Sequence, residues 1–238
     1  MLTRSEQDIT AVVLCGGLGT RLRKVLPNRP KVLADINGVP FVFYLLSKIE
    51  KTGCRKVIFC TGHLADQIEN LLGARHRELT LTYSKELIPM GTGGALRNAE
   101  QYITTNYALV MNGDSFVEFD FRDYYSWHLR VGANISMIVK KTLDTSRYGS
   151  ITLSTDDRIV EFQEKVSSNE SDEKFINVGV YLMDHRILQK IPQKVPLSLE
   201  KEVFPNLLSD GVFGYRIEGY FIDIGTPQSL VEAQEYFR

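Results

Sequence analysis

The stretch of the chain best suited to chemistry is a loop in which a group of glycines is followed by several basic side chains. Residues 15–31, CGGLGTRLRKVLPNRPK, directly follow the apolar run at 9–14. Amides beside glycine and the Thr20 hydroxyl can approach phosphate oxygens closely, while Arg21 and Lys31 supply a bidentate guanidinium and a point charge. The loop therefore predicts a site for a nucleotide polyphosphate. The alternative is a structural turn with solvated charges.

This loop matches neither of the common phosphate-binding motifs. Its glycines do not follow the G-x-G-x-x-G register of dinucleotide folds, and no Gly-Lys-Ser/Thr ends it as in a P-loop. In open α/β sheets, ligands lie beyond the carboxyl ends of the strands, where this loop begins. We therefore expect a phosphate site of another kind at the carboxyl edge of a sheet.

Two aspartates each end an apolar run. Asp114 follows Asn112 and Gly113, and Asp223 precedes a Gly-Thr-Pro turn. Alone, either aspartate could be a turn carboxylate or the N-cap of a helix. Together they suggest a site for a hard cation, because Mg2+ prefers a couple of carboxylates with phosphate oxygens and water. We assign both aspartates to Mg2+.

Composition limits the classes of protein that could hold such a site. The 238 residues, 43% hydrophobic and 24% charged, suffice for one large domain. A net charge of -1 offers no global field for nucleic acid or an anionic membrane. The chain shows neither a membrane-spanning apolar run nor, in MLTRSEQD at its start, a secretion signal. Cys15, Cys54 and Cys60 have no metal-like spacing and fit a reducing compartment, so we expect a cytoplasmic protein.

In the first half of the chain, strand-like apolar runs alternate with amphipathic helical patterns. This alternation is typical of βαβ units and a mostly parallel sheet. The predicted strands are 9–15, 56–60, 79–83, 107–111 and 134–140, and the predicted helices lie near 40–52, 63–72, 92–101 and 121–131. Continuous apolar runs, such as residues 108–111, indicate strands that are covered on both faces.

The second half has shorter strands separated by polar turns. Runs at 149–153, 158–162 and 175–181 predict a more antiparallel portion, and residues 165–174 are typical of a mobile surface loop. A last helix is expected at 227–236, and its pattern fits packing on the chain itself or on a second copy, so a homodimer stays open. The histidines lie in no motif and are expected at the surface or at helix ends: His63, His76, His128 and His185.

CGGLGTRL followed by Pro30 and Lys31 resembles the signature of the sugar-1-phosphate nucleotidyltransferases. Further motifs follow in the family's order: GTGGAL at 91–96, NGD at 112–114, YG at 148–149, EK at 164–165, NVGVY at 177–181 and FIDIGTP at 221–227. The resemblance implies an α/β, Rossmann-like nucleotidyltransferase fold, with a mostly parallel central mixed sheet flanked by helices and a smaller antiparallel sugar-binding portion. Residues 1–238 would form one domain, with 1–140 mainly binding the nucleotide and 141–238 mainly binding the sugar.

The reaction implied by the resemblance is a nucleotidyl transfer. A sugar-1-phosphate oxygen attacks the α-phosphorus of a nucleoside triphosphate, and pyrophosphate leaves. A phosphate nucleophile is already ionised near neutral pH, so alignment and charge neutralisation replace a general base. The partners expected are therefore GTP or another nucleoside triphosphate, a sugar 1-phosphate and Mg2+, with neither nucleic acid nor a membrane.

The resemblance also assigns roles to the residues that match the family's motifs. Nucleotide binding falls to Leu14, Gly16, Gly17, Gly19, Thr20, Arg21, Lys31, Glu86, Gly91, Thr92 and Gly113. Sugar-phosphate binding falls to Asn112, Gly149, Glu164, Lys165 and Asn177, and metal binding to Asp114 and Asp223. The catalytic residues would be Arg21, Lys31, Asp114 and Lys165. An isolated Glu-Lys pair would ordinarily be solvated, but the place of Glu164-Lys165 in the ordered series favours the family role.

Glu86 bears on which base the protein binds. It corresponds to a position where some relatives carry a glutamine that reads a pyrimidine. A carboxylate only accepts hydrogen bonds, and guanine presents two adjacent donors, so a glutamate could accept both. This favours GTP, with a glutamate that faces solvent as the alternative.

The amino-acid sequences of several motifs are most similar to those of the bacterial D-glycero-α-D-manno-heptose 1-phosphate guanylyltransferases, which make GDP-heptose for surface glycans. The run from Lys31 to Ala34 departs from relatives that carry proline and methionine after the lysine. Mannose-1-phosphate guanylyltransferase and N-acetylmuramate-1-phosphate uridylyltransferase are the alternatives within the family. A non-catalytic nucleotide-sugar sensor is an alternative of another class, whereas a glycosyltransferase would show an Asp-x-Asp motif, which residues 114–116 do not supply.

Overall fold

Strands and helices alternate along the part of the chain that the computed structural model describes, residues 8–22, 25–143, 148–163 and 174–238. The strands are β1 (Ile9–Leu14), β2 (Asp35–Ile36), β3 (Val39–Pro40), β4 (Lys56–Thr61), β5 (Arg75–His76), β6 (Leu79–Lys85), β7 (Tyr107–Asn112), β8 (Ser115–Val117), β9 (Ile135–Thr142), β10 (Ser150–Leu153), β11 (Ile159–Gln163), β12 (Lys174–Asp184), β13 (Val212–Ile217) and β14 (Phe221–Asp223). The helices are α1 (Phe41–Glu50), α2 (Ala65–Leu72), α3 (Gly91–Ala99), α4 (Phe121–Arg130), α5 (His185–Leu188), α6 (Phe204–Asn206) and α7 (Pro227–Tyr236). Within these ranges, none of the helices has the length and apolar character needed to cross a bilayer.

Ten strands form one mixed sheet in the order β11-β10-β12-β7-β1-β4-β6-β5, with β9 pairing with both β12 and β13. The strands β7, β1, β4 and β6 at its centre run parallel, whereas β12 runs antiparallel beside β7. Leu14 pairs with Cys60 on one side and with Asn112 on the other. The loops after β1, β4 and β7 therefore leave the sheet at the same edge. The predicted α/β fold with a mixed sheet and a parallel centre is confirmed.

Both faces of the sheet are covered, which explains the continuous apolar runs of its central strands. The successive residues Val12 and Val13 of β1 are both fully buried, on opposite faces. Val13 belongs to a core that includes Phe41 and Leu45 of α1. Val12 belongs to a second core that includes Leu96 of α3. Helices on both faces of a parallel sheet require such strands.

A two-stranded sheet brings the last part of the chain to the edge where β7 ends. β8 and β14 pair in antiparallel fashion, with Asp223 opposite Ser115. The Ile224 amide donates to the Asp114 carbonyl at 2.9 Å, which continues this pairing. α7 follows directly, with Thr226 as its N-cap. The two aspartates predicted to bind metal are therefore held by adjacent backbone segments.

The last helix lies at the predicted residues, 227–236, and packs on the chain itself. The Asn37 side chain donates to the carbonyl of Gln234 at 2.7 Å. The ring of Phe237, directly after the helix, lies 4.1 Å from the ring of Tyr44, centre to centre. The helix thus contributes to the core of its own chain, and the homodimer stays a prediction.

Several expected features differ from the structure. β12 is longer than the predicted strand at 175–181, and β13 was not expected because Gly214 and Arg216 weaken its strand pattern. His128, expected at the surface or a helix end, lies in the last turn of α4 but is buried. Its Nδ1 lies 2.7 Å from a serine hydroxyl, and burial lowers the pKa of His128 to about 4. Residues 165–173 of the expected surface loop lie outside the described part of the chain.

Candidate active site

A cavity of about 340 Å³ opens at the edge of the sheet where β1 and β7 end. We name it the glycine-loop cavity, because the loop after β1 forms one wall, opposite the start of α3 and the end of β7. Except for Thr20 and Arg21, the residues predicted to bind a nucleotide line it: Leu14, Gly16, Gly17, Gly19, Lys31, Glu86, Gly91, Thr92 and Gly113. Asp114 lies in the same wall. Folding thus gathers segments that are far apart in the sequence around one opening.

A second cavity, of about 490 Å³, adjoins the first. We name it the Asn177 cavity, and three residues predicted to bind the sugar phosphate line it: Asn112, Gly149 and Asn177. Arg21 also lies in its wall. Because Asn112 belongs to the walls of both cavities, the two meet at the end of β7. A ligand in each would bring two reacting groups together at this point.

Lys31 and Asp114 form an ion pair in the wall of the glycine-loop cavity. Lys31 Nζ donates to Asp114 Oδ2 at 2.6 Å, and the two side chains are 17% and 30% exposed. The other carboxylate oxygen of Asp114 accepts from the Ser115 hydroxyl at 3.3 Å. A partly exposed pair adds little to stability, but it fixes the positions of an ammonium and a carboxylate. Both charges therefore stand where a phosphate and a cation are predicted to bind.

Asp223 and Arg21 lie beside each other, next to Gly225. Asp223 Oδ1 accepts from the Gly225 amide. A Cβ atom at Gly225 would lie 3.2 Å from a guanidinium nitrogen of Arg21 and 2.5 Å from Asp223 Oδ1. Through the pairing of β8 and β14, this group is adjacent to the backbone of Asp114. Asp114 and Asp223, the predicted metal ligands, and the predicted phosphate-binding residues Arg21 and Lys31 are therefore gathered at one edge of the sheet.

Glu86 is half-buried in the wall of the glycine-loop cavity, rather than facing solvent. A Cβ atom at Gly16 would lie 2.1 Å from Glu86 Oε1, so only glycine leaves room for this carboxylate. Its Oε2 accepts from the Met90 amide at 2.9 Å. Burial raises the pKa of Glu86, and the Met90 hydrogen bond offsets part of that rise. The carboxylate is thus fixed between the two glycine-rich segments.

The glycines of the second segment, at the start of α3, lie against another part of the chain. The amides of Gly93 and Gly94 both donate to the Leu197 carbonyl, at 2.9 and 3.3 Å. A Cβ atom at Gly91, where the helix begins, would lie 2.5 Å from the same oxygen. These two amides are therefore engaged within the chain. Gly91 and Thr92 still line the cavity, and their contact with a nucleotide stays a prediction.

Asn112 and Glu200 occupy the region between the cavities. Asn112 Oδ1 is buried and has no hydrogen-bond partner among the described residues, which suits an acceptor that awaits a ligand donor. Glu200, in the wall of the Asn177 cavity, accepts from the Thr92 hydroxyl at 2.8 Å. Sequence reasoning missed Glu200 because it stands in an ordinary charged run, Glu-Lys-Glu. Glu164 and Lys165 lie outside the described residues.

Known proteins resemble this chain over almost its whole length. Residues 10–238 match the family described as nucleotidyl transferase. The D-glycero-alpha-D-manno-heptose 1-phosphate guanylyltransferase of Aneurinibacillus thermoaerophilus is 33% identical over 226 residues, which cover 94% of this chain and 96% of that protein. The mannose-1-phosphate guanylyltransferase of Mycobacterium tuberculosis is 34% identical over 231 residues, which cover 95% of this chain and 64% of that protein.

A solved structure has the same overall shape. The crystal structure of HddC from Yersinia pseudotuberculosis has a TM-score of 0.84 at 31% identity, over 96% of this chain and 99% of that one. The same protein complexed with GMP-PN has a TM-score of 0.84 at 30% identity.

Proposed function

Because this chain belongs to the nucleotidyl transferase family and is a nucleotidyltransferase, we propose that it transfers GMP from GTP to D-glycero-α-D-manno-heptose 1-phosphate, giving GDP-heptose and pyrophosphate. The observation that carries this proposal is the pair of adjoining cavities at the carboxyl edge of the sheet, with opposite charges gathered beside them. The guanine and the heptose are supported by the relative named as a heptose 1-phosphate guanylyltransferase and by the GMP-PN complex of HddC.

The geometry suits a direct transfer between two bound phosphates. The nucleotide would occupy the glycine-loop cavity and the sugar 1-phosphate the Asn177 cavity, so that the reacting groups meet near Asn112. The sugar-phosphate oxygen forms a new bond to the α-phosphorus, and pyrophosphate leaves with the electron pair of the broken P–O bond. Because the attacking oxygen is already ionised, no side chain has to remove a proton.

Charge neutralisation falls to the groups at this edge. Arg21, in the wall of the Asn177 cavity, offers a guanidinium fork, and Lys31 offers a point charge on the nucleotide side. Asp114 and Asp223 lie on adjacent backbone segments, and their carboxylates are hard oxygen donors of the kind that Mg2+ prefers. Bound there, the ion would neutralise phosphate charge and orient the phosphates. Lys31 is the counter-charge for Asp114 in the structure.

We assign guanine recognition to Glu86. Its carboxylate is held by the Met90 amide on one side and by contact with Gly16 on the other, in the cavity wall. Two acceptor oxygens match the N1–H and 2-amino donors of guanine. Glu164 and Lys165 keep their predicted roles as partners of the sugar hydroxyls and the sugar phosphate.

A second candidate function is mannose-1-phosphate guanylyltransferase, which the Mycobacterium tuberculosis relative favours. It would use the same nucleotide, the same charges and the same transfer step, with a different sugar in the Asn177 cavity. A non-catalytic sensor is disfavoured because Arg21, Lys31 and the two aspartates are present and gathered at one edge. We further propose that the protein is cytoplasmic and that it forms one domain, with one half that mainly binds the nucleotide and one half that mainly binds the sugar. The product would be used in surface-glycan synthesis.

The test is pyrophosphate release by the purified protein with Mg2+. D-glycero-α-D-manno-heptose 1-phosphate and mannose 1-phosphate are compared as acceptors, each with GTP, UTP, CTP, dTTP or ATP. Release with GTP and the heptose phosphate alone is the expected result, and addition of EDTA should abolish it. Preference for mannose 1-phosphate would favour the second candidate, whereas preference for another nucleotide would overturn the assignment of Glu86. Absence of pyrophosphate release with every pair of nucleotide and sugar phosphate would overturn the proposed function.

A further inference from the structure

Glu200 lies between the two cavities, and no role was predicted for it from the sequence. It lines the Asn177 cavity, and it accepts a hydrogen bond from Thr92, which lines the glycine-loop cavity. A π-helical turn, Leu199–Val203, carries it. Such turns are rare in proteins and are frequent at functional sites. The position of Glu200 and its unusual backbone conformation both indicate a functional role for this carboxylate.

Hydroxyl groups from three separate elements donate to Glu200. Its Oε2 accepts from Thr92, at the start of α3, at 2.8 Å and from Ser198, just before the turn, at 2.9 Å. Its Oε1 accepts from Tyr181 of β12 at 3.3 Å. Glu200 therefore connects the start of α3 with β12. Its Oε2 accepts from the α3 side and its Oε1 accepts from β12.

N–H groups on the far side of each hydroxyl set the direction of these hydrogen bonds. Thr92 accepts from the Leu199 amide at 2.9 Å, Ser198 from the Lys201 amide at 3.2 Å, and Tyr181 from the Asn177 side-chain amide at 2.7 Å. The hydroxyl protons are thus turned toward Glu200, whose oxygens only accept when it is ionised. Burial and the charge of Glu200 hold the pKa of Tyr181 well above its usual value, so the phenol keeps its proton.

The network ends in the Asn177 cavity on one side and in the glycine-loop cavity on the other. Asn177 Oδ1 accepts from the Gly179 amide at 2.9 Å, at the point where β12 departs from its regular pairing with β9. Thr92 is the second residue of α3, whose start borders the glycine-loop cavity. Through Glu200 the network thus connects a residue in the wall of one cavity with a residue in the wall of the other.

We propose that Glu200 is a positioning residue that couples nucleotide binding to sugar-phosphate binding, by holding Thr92 and the Tyr181–Asn177 pair in one hydrogen-bond network. This inference rests on the proposed function, because it takes the two substrates as the ligands of the two cavities. Each substrate would tighten the binding of the other by the same factor, as linkage requires. Couplings between sites are typically about 5–150-fold.

Glu200→Gln is the variant that tests this, because it keeps the size of the side chain and removes one acceptor. The new NH2 group would face a hydroxyl proton, so the hydrogen bond on that side of the network would be lost. The probe is the α,β-methylene analogue of GTP, which cannot transfer GMP, titrated calorimetrically with and without saturating heptose 1-phosphate. Wild-type protein should bind the analogue at least about fivefold more tightly with the sugar phosphate present, and Glu200→Gln should lose most of this factor.

Glu202→Gln is the matched control, because it lies on the same π-helical turn and its described partners are Lys194 and the Ser198 amide. It should keep the wild-type coupling. Thr92→Val, which removes the hydroxyl, should lose the coupling, and Thr92→Ser, which restores it, should regain it. Circular dichroism melting checks the fold of every variant, and the Thr92 pair carries the test if Glu200→Gln does not fold.

Steady-state kinetics give an independent readout. In Glu200→Gln, the KM for each substrate should rise while the other substrate is saturating, and kcat should change less. A lower kcat with both KM values unchanged would overturn a positioning role, and so would wild-type coupling in Glu200→Gln or a coupling factor of one in the wild type. These outcomes leave the proposed nucleotidyl transfer intact, since that function fails only if wild-type protein releases no pyrophosphate with any pair of nucleotide and sugar phosphate.

Discussion

Two glycine-rich segments border the glycine-loop cavity, and they have different neighbours. In the loop after β1, Cβ atoms at Gly17 and Gly19 would meet no atom of the described residues within 4 Å. At the start of α3, a Cβ atom at Gly91 would collide with the Leu197 carbonyl oxygen at 2.5 Å, and one at Gly93 would lie 3.1 Å from the Leu197 side chain. The first segment is therefore open at Gly17 and Gly19, whereas the second is closed by the chain itself.

A glycine motif in the sequence does not by itself reveal which group approaches it in the structure. Glycine permits close approach in both segments, but the surroundings differ: open space beside Gly17 and Gly19 in one case and the backbone at Leu197 in the other. Both segments predict phosphate binding when only the sequence is considered. Substitutions in the open segment should therefore affect mainly substrate binding and turnover, and substitutions in the closed segment should affect mainly stability.

Loss of charge beside the open segment should have the largest effect. Arg21→Ala is expected to lower kcat by about 10²–10³-fold, as is typical when one preorganised donor is removed. The melting temperature should stay near that of the wild type, because the side chain is exposed. Arg97→Ala, in α3 behind the closed segment and paired with Glu100 at 3.1 Å, is the matched control. Equal losses of kcat in the two variants, measured by pyrophosphate release, would contradict the comparison.

Gly91→Ala should be the most destabilising change in the closed segment. Gly91 has a φ of +72°, and its Cβ atom would lie 2.5 Å from the Leu197 carbonyl oxygen. Backbone strain and the collision together should lower the free energy of unfolding by about 2–4 kcal/mol. In Gly132→Ala, with a φ of +65° and no described atom within 4 Å of the added Cβ, only the backbone strain remains. Urea unfolding of both variants measures the difference, and equal losses would count against the collision.

Glu86 contacts both segments, and its protonation should change nucleotide binding. Because burial raises the pKa of Glu86, the carboxyl takes up a proton at a higher pH than an ordinary glutamate, whose pKa is about 4.3. A protonated carboxyl offers guanine one acceptor instead of two, so the KM for GTP should rise about tenfold as pH falls through the raised pKa. Glu86→Gln should bind weakly at every pH. A wild-type KM that stays constant into the ordinary glutamate range would refute the guanine assignment.

Gly17→Ala should have the smallest effect. An added Cβ atom would meet no described atom within 4 Å, so the free energy of unfolding should change by less than about 0.5 kcal/mol. The KM for GTP should nevertheless rise a few-fold, because the methyl group enters the space that a phosphate would use. Thermal melting and steady-state kinetics measure the two effects. A stability loss as large as that of Gly91→Ala would show that the loop after β1 is closed as well.

Much of the fold could be predicted because it depends on periodic patterns along the chain. α7 lies at the residues expected from its pattern, and the central strands lie within a residue or two of their expected bounds. β13 could not be predicted in the same way, since its place depends on pairing with β9 and its own pattern is interrupted by Gly214. The burial of His128 likewise depends on packing that its neighbours in the sequence do not specify.

Many residues that line the two cavities were expected at a site from the sequence, but their contacts could not be predicted. Lys31 and Asp114 were each expected at the site, yet their ion pair appears only when the loop after β1 and the end of β7 are brought together. Glu200 carries no local signal at all. Its importance comes from donors on α3 and β12, and neither of these elements lies next to it in the sequence.

The amino-acid sequence alone specifies the alternation of strands and helices, the glycine loop with its basic side chains, and the order of the motifs. These depend on residue types and on spacing between neighbours along the chain. Only the tertiary structure decided which groups meet: Glu86 with Gly16, Leu197 with the start of α3, and Glu200 with Thr92. The physical reason is that hydrogen bonds and close packing depend on distance and direction in space, and residues far apart in the chain acquire these only when the sheet assembles.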